Sequence, residues 1–230
     1  MLIAYAENSA PFPPNVWDGY LCRLPNEHRE QVLRYKFRED AQACLYGKLL
    51  LLRCLEELGI GHLRLEDLRY TSHQRPYFND AAIDFNISHS GKFVVCAAAN
   101  NIRLGIDIEQ IKPVAVTDFK EQFSDDEMRL IQSDDGSFVN FYNLWTKKEA
   151  LIKADGKGLS IPLKQVSVIG AGGVVGVVGE EHQQRRHQQP VIIENRSWFL
   201  TEINISEGYC CHLATSEMIT EGLRVRRFMF

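Results

Sequence analysis

Gly105-Ile106-Asp107-Ile108-Glu109 has the period-two alternation of a β-strand, with Ile106 and Ile108 on one face and two carboxylates on the other. Residues two apart on a strand stand roughly 6–7 Å from each other, so Asp107 and Glu109 repel unless a cation or a proton lies between them. An isolated Asp-x-Glu is also common on solvated strand faces, so the surrounding chain has to decide between the two readings.

Upstream, Ala82 to Ile87 and Lys92 to Ala99 read as strands joined by Ser88-His89-Ser90-Gly91, a polar connection of hairpin length, and Asn100-Asn101 makes the next turn. Downstream, Ser124-Asp125-Asp126-Glu127 is a capping box, Ser followed by Glu three residues on, and starts a helix. A longer helix is expected over Phe138 to Ala154, with Phe141, Trp145 and Ile152 as its buried stripe. Glu149 falls four residues after Trp145 and three before Ile152, on or beside that stripe. Lys147 and Lys148 flank it, and Lys153 follows one turn later. Glu149 and Lys153 have the order of an ordinary helix ion pair, yet a carboxylate beside a buried Trp is also the setting of a functional acid or base.

Further out, Leu2 to Tyr5 reads as a strand and Pro11, Pro13 and Pro14 as a loop; Pro25 opens a polar helix containing His28. Asp40 to Leu58 has leucines at 45, 49, 52 and 55 and a stop at Gly59, the signature of a core helix. Leu63 to Tyr70 reads as a helical turn leading into a strand, and Gln165 to Ile169 as a strand. Gly170 to Pro190 reads as an exposed, mobile hairpin or loop in which His182 and His187 lack partners at metal-ligand spacing. Its glycines do not make a dinucleotide fingerprint, because Val175 stands where the third glycine is required. Val191 to Ile193, Phe199 to Ile205 and Tyr209 to Thr215 are strands, and Arg224, Arg226 and Arg227 form a solvated basic end. Asn86-Ile87-Ser88 ahead of Gly91 is echoed by Asn204-Ile205-Ser206 ahead of Gly208, and each half carries one long helix. The expected organisation is therefore two related halves, 1–103 and 104–230, packed face to face with a site between them.

Composition sets outer bounds. The 230 residues are 45% hydrophobic and 24% charged, as in ordinary globular proteins, and the net charge of −4 offers no footprint for nucleic acid. The longest leucine run, Leu49 to Leu52, is bracketed by Lys48 and Arg53, so no membrane span is expected. The first ten residues, with Glu7 and Asn8, do not read as a signal peptide. The six cysteines include no Cys-x-x-Cys pair, which suits reduced, mostly buried thiols and a cytoplasmic location.

Asp107, Glu109 and Glu149 together would offer three hard oxygen ligands, which suit Mg²⁺. Lys148 and Lys153, with Arg75 and His89, would supply cations for phosphate oxygens. Such a set is what displacement at a pyrophosphate requires.

Three motifs, Phe85-Asn86-Ile87-Ser88-His89-Ser90-Gly91, Gly105-Ile106-Asp107-Ile108-Glu109 and Trp145-Thr146-Lys147-Lys148-Glu149-Ala150-Leu151-Ile152-Lys153, stand in this order. The third continues to Gly156-Lys157-Gly158-Leu159. Jointly they resemble the 4′-phosphopantetheinyl transferases of the surfactin-synthetase-activating (Sfp) type, over roughly residues 34 to 168. The resemblance implies an α+β fold of two similar halves related by a pseudo-two-fold, with coenzyme A between them; because two internal halves already make a composite site, a monomer is expected. It implies transfer of phosphopantetheine from coenzyme A to a serine of an apo acyl or peptidyl carrier protein, with release of adenosine 3′,5′-bisphosphate. By motif, Asp107, Glu109 and Glu149 would hold Mg²⁺, Glu149 would also serve as base, and Lys153 would contact the attacked phosphate. Ser88 and His89 would face the 3′-phosphate and adenosine, with Arg75 and Arg34 beside them. His28 and Gln31 stand where the family has lysines near that phosphate, and Cys44 where a hydroxyl residue is common. A Mg²⁺-dependent pyrophosphate hydrolase and a non-catalytic coenzyme A module remain the rival classes.

Overall fold

One long helix laid on a mixed sheet is the plan of each of the two units into which the chain divides, Met1–Asn101 with Leu223–Phe230, and Ile102–Gly222. The computed structural model describes residues 1–79, 82–158, 161–175 and 189–230. His182 and His187 lie outside the described residues.

In the first unit, β1 (Leu2–Glu7) is followed by α1 (Pro14–Leu21), α2 (Asn26–Leu33) and α3 (Arg38–Glu57). Then come β2 (Leu68–Tyr70), β3 (Pro76–Phe78), β4 (Ile83–Ser90) and β5 (Phe93–Asn100). The proline loop expected before residue 25 is in part helix, because Pro14 sits at the first helical position, where its missing N–H costs nothing. α3 buries Leu45, Leu50, Leu51, Cys54 and Leu55 against Leu2, Ala4 and Ala6 of β1 and Val94, Cys96 and Ala98 of β5. Each such leucine contributes about 1.5–3 kcal/mol through area removed from water. At Gly47 the helix backbone comes so close to β4 that an added Cβ would lie 3.1 Å from Ile87 Cγ2.

The β4–β5 hairpin turns later than its sequence suggests. Ser88, His89 and Ser90 stay in register with Val95, Val94 and Phe93, and the turn is the pair Gly91-Lys92. Gly91 takes φ 53°, the positive value that a two-residue hairpin turn needs at its first position.

In the second unit, β6 (Leu104–Gln110) is followed by α4 (Asp125–Gln132), α5 (Val139–Asp155), β7 (Gly173–Val175), β8 (Val191–Ile193), β9 (Arg196–Ile203) and β10 (Tyr209–Thr215). The sheet order is β6-β10-β9-β7, with β8 paired to β9. The capping box at α4 forms: Ser124 accepts from the Glu127 N–H, and Glu127 accepts from the Ser124 N–H at 2.8 Å. α5 ends at Gly156 in the left-handed conformation, φ 84°. The strand expected over Gln165–Ile169 does not form; that stretch begins in a short 3₁₀ turn, Leu163–Gln165, and runs on as loop. Its alternating Val166 and Val168 are buried as the sequence pattern demands, but in the second unit's core without joining a ladder.

The basic end is a strand, not a solvated tail of the second half. β11 (Arg224–Arg227) runs parallel to β1 and closes the first unit's sheet, order β11-β1-β5-β4. Arg226 and Arg227 pair there with Glu57 and Glu7. No helix among the described residues is long and apolar enough to cross a membrane, and all six cysteines are free thiols.

Candidate active site

Gly105 determines how α5 meets β6. A Cβ at this position would lie 2.3 Å from both Ala150 O and Ala154 N, so only glycine lets the helix backbone rest on the strand. Asp107 and Glu109 follow on the same face of β6. The carboxylate face is therefore not a solvated one: Asp107 is as enclosed as its isoleucine neighbours. Lys153, one turn along from Glu149 on α5, places Nζ 2.6 Å from Asp107 Oδ1. Burial pushes the Glu149 carboxyl above its ordinary range, and the negative charges of Asp107 and Glu109 push it further, while Lys153 pulls it back. The structure thus gathers Asp107, Glu109, Glu149 and Lys153 into one electrostatic group.

Among the described residues no three Asp, Glu, His or Cys side chains converge at metal-holding spacing. Asp107 gives an oxygen to the Lys153 ammonium instead. The donor chemistry nevertheless suits a hard dication: three carboxylates, one of which holds its proton more tightly through burial and, after it, the charges of the other two.

Lys148 is placed elsewhere. Its ammonium is fully enclosed, 2.9 Å from Glu127 Oε2 and donating to Leu163 O and Val166 O at 2.7 Å each. Those three acceptors match its three N–H groups, so the expectation of Lys148 as a phosphate ligand gives way to a structural tie.

The same sheet face carries a feature that motif reading missed. His212 on β10 lies opposite Asp107 on one side and Glu202 on the other. Its Nδ1 lies 2.8 Å from Thr146 Oγ1, whose hydroxyl donates to Tyr142 O at 2.7 Å, so His212 is the donor to Thr146. Burial holds His212 well below the usual histidine range, with Lys147 adding to the effect. Next to it, burial pushes the Cys210 thiol up to about 12, which makes it no nucleophile at neutral pH. A polar residue in a strand bounded by Cys and Leu was the available signal.

In the first unit, strand alternation separates the two members of the Ser88-His89 motif. Ser88 is buried on the face of β4 that carries Asp84, and Asp84 holds Arg75 at 2.8 Å. His89 is exposed and shares the opposite face with Phe85 and Ile87, the face on which α3 lies. Arg34 ends α2, exposed and 3.6 Å from Glu30.

Comparison with known proteins shows the family. Residues 11–101 match the family described as "4′-phosphopantetheinyl transferase, N-terminal", and residues 103–210 match the "4′-phosphopantetheinyl transferase superfamily". The chain belongs to the 4′-phosphopantetheinyl transferase family. Within it the likeness is to the Sfp type: "4′-phosphopantetheinyl transferase Sfp" of Bacillus subtilis (strain 168) is 38% identical over 156 residues, 66% of this chain and 68% of the relative. "4′-phosphopantetheinyl transferase gsp" of Aneurinibacillus migulanus is 32% identical over 211 residues, 88% of this chain and 81% of the relative.

Proposed function

We propose that this transferase moves the 4′-phosphopantetheine group from coenzyme A to a serine of an apo acyl or peptidyl carrier protein. The observation that carries the reading is the close Lys153–Asp107 pair beside a Glu149 of raised proton affinity. In the proposed step the carrier serine Oγ bonds to the phosphorus that bears pantetheine. The bond from that phosphorus to the pyrophosphate bridging oxygen breaks, and adenosine 3′,5′-bisphosphate leaves. Glu149, whose burial favours the protonated form, accepts the serine proton directly or through water. Lys153 donates to the oxygens of the attacked phosphate, held in place by Asp107.

Asp107, Glu109 and Glu149 are the residues that would hold Mg²⁺. When bound, the ion supplies charge stabilisation for the pyrophosphate oxygens. In the first unit we assign Ser88, His89, Arg75 and Arg34 to the 3′-phosphate and adenosine of coenzyme A. The two units are read as related halves, since each lays one long helix on a mixed sheet.

Mass spectrometry of an apo carrier protein incubated with the enzyme, coenzyme A and Mg²⁺ tests this reading. The carrier should gain the phosphopantetheine mass, and Glu149→Gln should abolish the gain. Cleavage of coenzyme A with an unmodified carrier would establish a hydrolase instead, and binding without turnover a coenzyme A module.

A further inference from the structure

Lys48 on α3 is a buried cation with neutral neighbours. The residue is 9% exposed, and among the described residues its ammonium has two acceptors, Gln31 Oε1 at 2.7 Å and His28 Nδ1 at 3.2 Å. An ammonium carries three N–H groups, so one remains for a further acceptor. Among the described residues no carboxylate pairs with it, although enclosing an uncompensated charge is costly. His28 is anchored on its other side by the turn at Leu65. Its Nε2 lies 2.8 Å from Leu65 O, which can only accept, so Nε2 carries the proton and Nδ1 turns its lone pair to Lys48.

His28 and Gln31 both line a cavity of about 760 Å³ bounded by α2, the turn at Leu65 and β2. Arg34 and Arg69 line it too, as do Glu27, Glu30 and Glu66. All five of those charged groups are exposed and screened by water, whereas Lys48 lies behind His28 and Gln31 and is enclosed. Lys48 also follows Gly47, which rests on Ile87 one residue before Ser88. A dianionic oxygen group is the ligand that an ammonium of this kind accepts best.

We propose that Lys48 is the residue by which this enzyme selects the 3′-phosphate of coenzyme A, supplying from α3 the positive charge that His28 and Gln31 do not. The assignment rests on the reading that coenzyme A is the donor. Gln31 is the natural place to move the charge, since its Oε1 already touches the ammonium.

Calorimetry compares adenosine 3′,5′-bisphosphate with adenosine 5′-monophosphate on the whole enzyme. The wild type should prefer the bisphosphate about 10- to 100-fold, the usual effect of one charged hydrogen bond. Lys48→Met should remove the preference, and Lys48→Met with Gln31→Lys should restore it. In transfer assays Lys48→Met should lower coenzyme A use about 10- to 100-fold, again as for loss of one charged contact, and leave 3′-dephospho-coenzyme A use unchanged. Survival of the preference in Lys48→Met overturns the proposal. So does Lys48-dependent binding of inorganic phosphate without nucleotide discrimination, which would mark a free-phosphate site. Lys48→Met should also raise Tm, because a buried charge is removed; a sharp fall would make the ammonium structural and overturn the assignment. If the wild type transfers nothing from either donor while the Lys48-dependent preference holds, the transferase reading fails and the phosphate assignment stands.

Discussion

Lys148 and Lys153 sit five residues apart on α5, about 140° apart around the helix at 3.6 residues per turn. Both are paired with a carboxylate, and they serve different ends. Lys148 is 0% exposed, and its partner Glu127 also accepts from the Val168 and Ser124 N–H groups, so the pair ties the start of α4 and the 163–168 loop to the helix. Lys153 keeps 27% of its side chain open, and Glu149 and Glu109 stand near its partner Asp107. A closed set of acceptors makes a tie. An open ammonium among excess carboxylates makes a group that, on the proposed reading, changes partners when a phosphate arrives.

The contrast is broken most sharply on the Lys153 side. Lys153→Met is expected to lower transfer by about 10³-fold, roughly 4 kcal/mol of transition-state stabilisation. Its unfolding midpoint should fall less than that of Lys148→Met, because only the Asp107 end of this pair is enclosed and the Lys153 end is open to water. A matched loss in both would show that Lys153 is a tie like its neighbour. Lys148→Met should do the reverse. Leaving the Glu127 charge enclosed without its cation costs about 3–5 kcal/mol in urea unfolding, while transfer per folded molecule stays near wild type. A transfer loss at full stability would return Lys148 to the phosphate site. Gly105→Ala comes third, at about 2–3 kcal/mol, since the new Cβ meets helix backbone that has no rotamer with which to yield. It should also separate Lys153 from Asp107 and reduce transfer; an unchanged enzyme would show that the strand–helix contact does not set the site.

Local signals carried much of this arrangement. The capping box at Ser124, the stripe of α5 and the alternation of 105–109 each depend on neighbours in sequence, and each formed where the pattern put it. What escaped depended on partners far along the chain. Lys148 and Lys153 look alike in the motif, and only Glu127 and the 163–166 carbonyls distinguish them. β11 has three arginines in four residues and forms because β1, more than two hundred residues earlier, offers an open edge. Lys48 read as a flanking charge for the leucine run, yet its position one turn after Cys44 places it on the wall of α3 that faces His28. The Ser88-His89 pair read as a turn because polar residues dominate there, whereas Gly91 alone supplies the positive φ.

The smallest effect tests whether the sheet beneath this pair of lysines tolerates charge. His212 is enclosed and neutral, with its folded-state pKa well below the ordinary value near 6.5. The unfolded chain therefore binds a proton near pH 6.5 that the folded chain refuses, so unfolding is favoured as pH falls below 6.5. The loss approaches about 1.4 kcal/mol per pH unit, the limit for one proton, until the folded-state pKa is reached. His212→Gln removes the titration and leaves a group that can still meet Thr146 Oγ1. Urea midpoints at pH 7.5 and 5.5 should fall less in His212→Gln than in the wild type. Equal falls would mean that His212 takes up its proton without unfolding, and that the face of β10 between Asp107 and Glu202 accommodates a positive charge.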